Sequence, residues 1–210
     1  MTDTLILWSF RRCPYAMRAR LAIQASQLHV ELREIVLRNK PDAFLAASPS
    51  ATVPCLQLQD RIIDESRDIM NWALEKSDPE GWLDMPDVGQ TLIDICEGPF
   101  KNALDHTKYA VRYPDLDPSK EREAAMTFLR DLNSQLAGQP YLFGAKPRLA
   151  DMAILPFVRQ FAHIDRNWFY DQGLNDLNRW LDAFKNSDRF SAIMQKYSPW
   201  QPGQDAVSFP

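Results

Sequence analysis

A small mixed α/β domain followed by an all-helical domain is the fold class the sequence predicts, and three observations predict it. Residues 1–76 alternate strand and helix patterns in the order β-α-β-α-β-β-α, residues 77–87 are rich in turn formers and acids, and residues 88–210 show helical spacing without a convincing strand. At 210 residues the chain is long enough for two small domains, each with a buried core.

The first domain follows from local patterns. The apolar run Leu5, Ile6, Leu7, Trp8 is bounded by polar residues, as in a buried strand. Pro14 to about Ala25 is rich in helix formers, with Ala16, Met17, Ala19, Leu21 and Ala22, and Pro14 suits a first helical position whose amide has no partner anyway. Val30 to Leu37 reads as a second strand, parallel to the first across the helix. A short helix is expected from Asn39 to Ala47, then a hairpin of Val53–Leu58 and Arg61–Asp64 turning at Gln59 and Asp60. Ser66 precedes Ile69, Met70, Ala73 and Leu74 as the N-cap of an amphipathic helix.

Residues 77–87 (SDPEGWLDMPD) break the periodicity and read as a linker. Beyond it, Val88, Leu92, Ile93 and Cys96 have helical spacing, which Gly98 and Pro99 interrupt. Pro118 opens a helix with Ala125, Phe128, Leu129, Leu132 and Leu136 on one face and Gly138 as its stop. Leu149–Ala162, Leu174–Phe184 and Ser187–Tyr197 read as three more helices, and the tail after Pro199 as irregular. The domains are therefore expected at 1–76 and 88–210.

Composition excludes several function classes. A net charge of -4 without a basic stripe argues against nucleic-acid binding. No apolar run is long enough for a membrane span, and Met1, Thr2, Asp3 and Thr4 do not begin a secretory signal, so a cytoplasmic protein is expected. Three widely spaced cysteines and three scattered histidines give neither a disulfide framework nor a metal site.

Cys13 is the residue that points to chemistry. It ends a strand-to-helix loop, immediately before Pro14, where unpaired amide N–H groups and the positive end of the helix dipole favour a thiolate. Arg11, Arg12 and Arg18 stand nearby in sequence. A cysteine titrates near ~8.5, and such settings lower it to roughly 3.5–7.5. Cys55 and Cys96, on a strand and an apolar helix face, read as packing residues.

Cys13, Pro14, Tyr15 and Ala16 resemble the active-site run of glutaredoxins with the second cysteine replaced by alanine. The longer segment Arg11–Ile23 resembles the N-terminal helix of cysteine-type glutathione S-transferases, the omega class and its bacterial relatives. That resemblance implies a thioredoxin-like N-terminal domain, an all-α C-terminal domain, glutathione as co-substrate without a metal, and a homodimer. It implies catalysis by Cys13 through a glutathione mixed disulfide, which Ala16 cannot resolve and a second glutathione must.

The resemblance also implies a binding set. Val53, before a cis Pro54, would pair its main chain with the cysteinyl part of glutathione. Glu65 and Ser66 would hold the γ-glutamyl end, a charge and hydroxyl arrangement suited to an amino acid head at a helix start. Lys40, in the run Asn39, Lys40, Pro41, would reach the glycyl carboxylate. Asp151 matches a buried helix start in the family, where it acts structurally; Arg148 stands where the family has a capping hydroxyl. The second substrate would be a small disulfide or electrophile. Phe100, Tyr109, Phe161, Trp168 and Trp200 are candidates for its pocket or, as ordinary aromatics, for core. Two other readings stay open: conjugation of glutathione to electrophiles, assisted by a hydroxyl such as Ser9, and a binding module without turnover.

Overall fold

A computed structural model describes residues 5–210. They form two compact units: one runs to Gly81 and resumes over Ser187–Pro210, and the other is Trp82–Asn186.

In the first unit, β1 (Ile6–Ser9) and β2 (Val30–Glu34) pair in parallel, joined by α1 (Pro14–Ala25). After α2 (Asp42–Ala47), strand β3 (Cys55–Gln57) runs antiparallel to β1, with Cys55 opposite Trp8, and β4 (Ile62–Ile63) closes the hairpin before α3 (Ser66–Lys76). Leu7 and Trp8 are fully buried because β1 lies at the centre of the sheet. Helix α1 is buried almost all round; its alanines leave room for α3 and α10 (Asp188–Ile193) to pack against it.

The C-terminal segment departs from expectation. The sequence places residues 187–210 with the helical domain and leaves the tail irregular, yet α10 packs on α1 and β5 (Ser208–Phe209) adds antiparallel to β2. The sheet order is β4-β3-β1-β2-β5. A two-residue strand is invisible to periodicity; it exists because β2 otherwise offers an open edge. Trp200 donates its amide to the Glu34 carbonyl at 2.7 Å and sets its ring edge-on to Trp8, 5.1 Å between centroids. The Arg33 guanidinium lies 4.8 Å from the Trp8 ring and 4.6 Å from that of Trp200.

The second unit is helical: α4 (Val88–Ile95), α5 (Lys101–Lys108), α6 (Pro118–Gln135), α7 (Leu149–Ala162), α8 (Arg166–Tyr170) and α9 (Asn175–Lys185). Gly98 and Pro99 do not break the chain between α4 and α5; they sit in one π-helical turn, Cys96–Phe100, because Pro99 brings no N–H to the usual ladder. Trp82, inside the expected linker, is fully buried, and its carbonyl accepts from Leu149 N at 3.0 Å. Asp151 is buried at the start of α7 and accepts from Arg148 N, Leu142 N and Trp180 Nε1 at 2.9–3.0 Å. Burial pushes its carboxyl up to about 6 against those three donors. Its partners are all structural backbone and core groups. No described helix is long and apolar enough to cross a membrane.

Candidate active site

Cys13 occupies the N-cap of α1 with extended backbone, and Pro14 takes the first helical position. Cys13 N donates to Phe10 O at 3.0 Å, and Cys13 O accepts from Met17 N at 2.9 Å as the helix's first bond. The side chain is half-buried, and its Sγ donates to the Val53 carbonyl at 3.6 Å. The Val53–Pro54 bond is cis. Cys13, Val53 and Pro54 thus meet at the C-terminal end of β1 and the start of β3, 40 residues apart in sequence.

Asp64 ties this locality to the next. Its carboxylate accepts from Ser48 Oγ and from Ser50 N, both at 2.8 Å, holding the loop that leads to Val53. Burial raises the Asp64 carboxyl, but hydrogen bonds from Ser50, Ser48 and Cys55 outweigh it and hold the group below the usual range. Glu65 follows Asp64 as the N-cap of α3, exposed, with no side-chain partner among the described residues. Ser66 is the first residue of α3, not its N-cap: the chain turns helical one residue earlier than the sequence predicts. Its hydroxyl is buried and accepts from Arg18 Nε at 2.9 Å, so its own proton is left to donate.

Lys40 follows the tight turn that bridges Val36 and Asn39, half-buried, and its ammonium has no partner among the described residues. The contacts described bring Cys13 against Val53 and, through Asp64, tie the loop before Val53 to the strand end that leads into Glu65 and Ser66; none of them joins Lys40 to that group.

Beneath the loop lies a cluster that the sequence does not announce. Arg20, 1% exposed, donates from Nη1 to Ser9 Oγ and from Nη2 to Arg11 O, both at 2.7 Å. Glu34 approaches Arg20 within 3.8 Å and accepts from Arg11 N at 2.6 Å. Burial drives the Arg20 guanidinium down to about 10, opposed by the charges of Glu34, Cys13 and Tyr197. Burial also pushes the Glu34 carboxyl up. The only hint in the sequence is a pair of arginines, Arg18 and Arg20, in a helix whose other residues are mostly apolar.

Cys55 is fully buried among Trp8, Ile35, Phe44 and Val53. Burial and the neighbouring Asp64 push its thiol up to about 12. None of the three cysteines is in a disulfide. Among the aromatic pocket candidates, Phe100 and Phe161 are core, with the Phe100 ring tilted against those of Phe161 and Phe128. Trp200 is committed to Trp8, and Tyr109 lies under Lys108 and Arg112.

The probable glutathione S-transferase DHAR2, chloroplastic, of Oryza sativa subsp. japonica is 25% identical over 190 residues, covering 85% of this chain and 64% of that protein. This chain thus spans just under two thirds of that relative's length. The probable glutathione transferase omega-2 of Caenorhabditis elegans is 25% identical over 99% of this chain and 85% of its own. A solved glutathione transferase family member from Pseudomonas fluorescens, with two glutathione bound, superposes with a TM-score of 0.76 at 16% identity, covering 91% of this chain and 92% of that one. Glutathione transferase Omega 2C from Trametes versicolor superposes at 0.73 and 17% identity, covering 92% and 94%. At those identities the solved structures establish the fold. Residues 7–81 match the family described as Glutathione S-transferase, N-terminal domain, and residues 91–183 match Glutathione S-transferase, C-terminal domain. With both of its domains matched in order and the fold shared, the chain belongs to the glutathione S-transferase family.

Proposed function

We propose that this protein is a glutathione-dependent thiol transferase in which Cys13 is the nucleophile. The observation that carries the reading is the placement of Cys13. It stands half-buried at the N-cap position of α1 with its Sγ beside the Val53 carbonyl, while Cys55 and Cys96 are buried.

In this reading the Cys13 thiolate attacks the glutathionyl sulfur of a small mixed disulfide. The Cys13–glutathione disulfide forms, the substrate's S–S bond breaks, and the substrate leaves as a thiol that takes up a proton. A second glutathione thiolate then attacks the glutathione sulfur of the adduct, releasing glutathione disulfide and returning Cys13 to the thiolate. The Val53 main chain aligns the cysteinyl part, Glu65 and Ser66 hold the γ-glutamyl head, and Lys40 meets the glycyl carboxylate. Reduction of dehydroascorbate and removal of glutathione from adducts belong to the same class of chemistry.

The conjugation reading needs a hydroxyl to hold a glutathione thiolate. Ser9 does not suit that role: it is fully buried, and its Oγ is occupied by Arg20. Incubating wild type and Cys13→Ala with glutathione disulfide, then mapping adducts by mass spectrometry, tests the proposal. A single glutathione on Cys13, discharged by reduced glutathione and absent from the variant together with turnover of a mixed disulfide, is the expected result. Turnover that survives in Cys13→Ala would sink it.

A further inference from the structure

The cluster under the active-site loop is an unusual use of charge. Arg20 is 1% exposed, and two of its cluster's buried polar atoms, Arg20 Nε and Glu34 Oε2, have no hydrogen-bond partner among the described residues. At 3.8 Å, with an atom left over on each side, this pair is not an efficient stability device: desolvation of buried ions cancels much of their attraction unless every polar atom is satisfied. The bonds it does make converge on one short segment. Arg20 holds the Ser9 hydroxyl and the Arg11 carbonyl, Glu34 holds the Arg11 amide, and the next residues in the chain are Arg12 and Cys13. Arg11 is further tied by Nη1 to the Met194 carbonyl at 3.4 Å, which brings in the C-terminal segment.

We propose that Arg20 is a positioning residue for Cys13: its guanidinium fixes the Ser9–Arg12 loop that presents the thiol, and its charge, balanced by Glu34, sets the thiol's reactivity. The charged and titratable groups facing Arg20 come from every side of the cluster. They are Glu34 on β2, Arg11 and Cys13 at the loop, and Tyr197 on the C-terminal segment. Glu34 opposes the influence of Arg20 on a thiolate, and Arg11 reinforces it. The inference rests on the thiol-transfer reading only in taking Cys13 as the reacting group.

The test is the rate of Cys13 alkylation by iodoacetamide, followed by peptide mass spectrometry from about pH 4 to 10. Wild type, Arg20→Met, Arg20→Lys and Glu34→Gln are compared. Arg20→Met removes a cation and leaves Glu34 unopposed, so the rise in rate moves up by about one pH unit. Arg20→Lys keeps the charge but not the fork of two bonds, and its profile falls between wild type and Arg20→Met. Glu34→Gln keeps an acceptor for Arg11 N, leaves the guanidinium uncompensated, and moves the profile down. Opposite shifts in Arg20→Met and Glu34→Gln carry the proposal, because a merely structural cluster would move both the same way or neither. Profiles that coincide with wild type, or that shift together, overturn it. If Arg20→Met fails to fold, Arg20→Lys decides: an upward shift supports the proposal, and a profile that coincides with wild type or moves down overturns it. Alkylation needs no glutathione, so a wild type that shows these shifts but takes no glutathione adduct would sink the thiol-transfer reading and leave this inference standing.

Discussion

Cys13 and Cys55 carry the same side chain in opposite surroundings. Cys13 stands at the N-cap of α1, at a half-buried loop end; Cys55 is sealed in the sheet, where burial first and the Asp64 carboxylate second push its thiol up to about 12. Cysteine, proline and a helix pattern in succession made Cys13 legible in the sequence. Arg20, Glu34 and Asp64 were not, because each acts on a residue distant along the chain. His163, at the end of α7, is a second case of environment over identity. Burial and the cations Arg159, Arg166 and Lys185 drive its imidazole down to about 4. Below about pH 6.5 the unfolded chain takes up a proton there that the folded chain refuses, so stability falls as pH drops from about 6.5 towards 4. His163→Gln, which keeps an acceptor for Arg166 and cannot titrate, should lose less stability over that interval. Urea midpoints at pH 7 and pH 5 check this; an equal loss in both proteins would count against it.

Elements were legible where local chemistry alone decides them. Pro14 and Pro118 open helices, and Asp117 caps the second by accepting from Ser119 N at 2.9 Å. Gly138, read from the sequence as a stop, has φ 73° just past α6, with open space around the position a Cβ would take. Gly138→Ala therefore meets no clash, and its cost is the left-handed backbone, about 1 kcal/mol. Chemical denaturation that shows no loss would mean the chain re-routes its turn there. The π turn Cys96–Phe100 was legible only as an interruption. Whether Gly98 and Pro99 kink, break or widen a helix depends on what packs against it, and Phe100 is anchored against Phe128 and Phe161.

For the whole molecule, the consequential feature is that the chain returns to its first unit after completing its second. Residues 198–210 bring Trp200 onto Trp8 and β5 onto the edge of β2, with Phe209 buried to 1% exposure. Deleting them should destabilise the sheet unit by about 3–6 kcal/mol, from the lost burial of Trp200 and Phe209, and should promote association through the bared β2 edge. Thermal unfolding followed by tryptophan fluorescence, with light scattering, measures both. A truncated protein that melts with wild type would show the segment to be an ornament of the fold.

The sequence by itself determined the order of elements in the first unit, the helical character of the second, and the exceptional place of Cys13. These rest on periodicity, capping and proline chemistry, which act within a few residues. Only the tertiary structure decided that the C-terminal segment joins the sheet, that Ser66 answers to Arg18, and that Arg20 and Glu34 underpin the cysteine loop. A two-residue strand and a buried ion pair have no local signature. They arise where an open edge and an uncompensated charge meet groups brought from elsewhere in the chain.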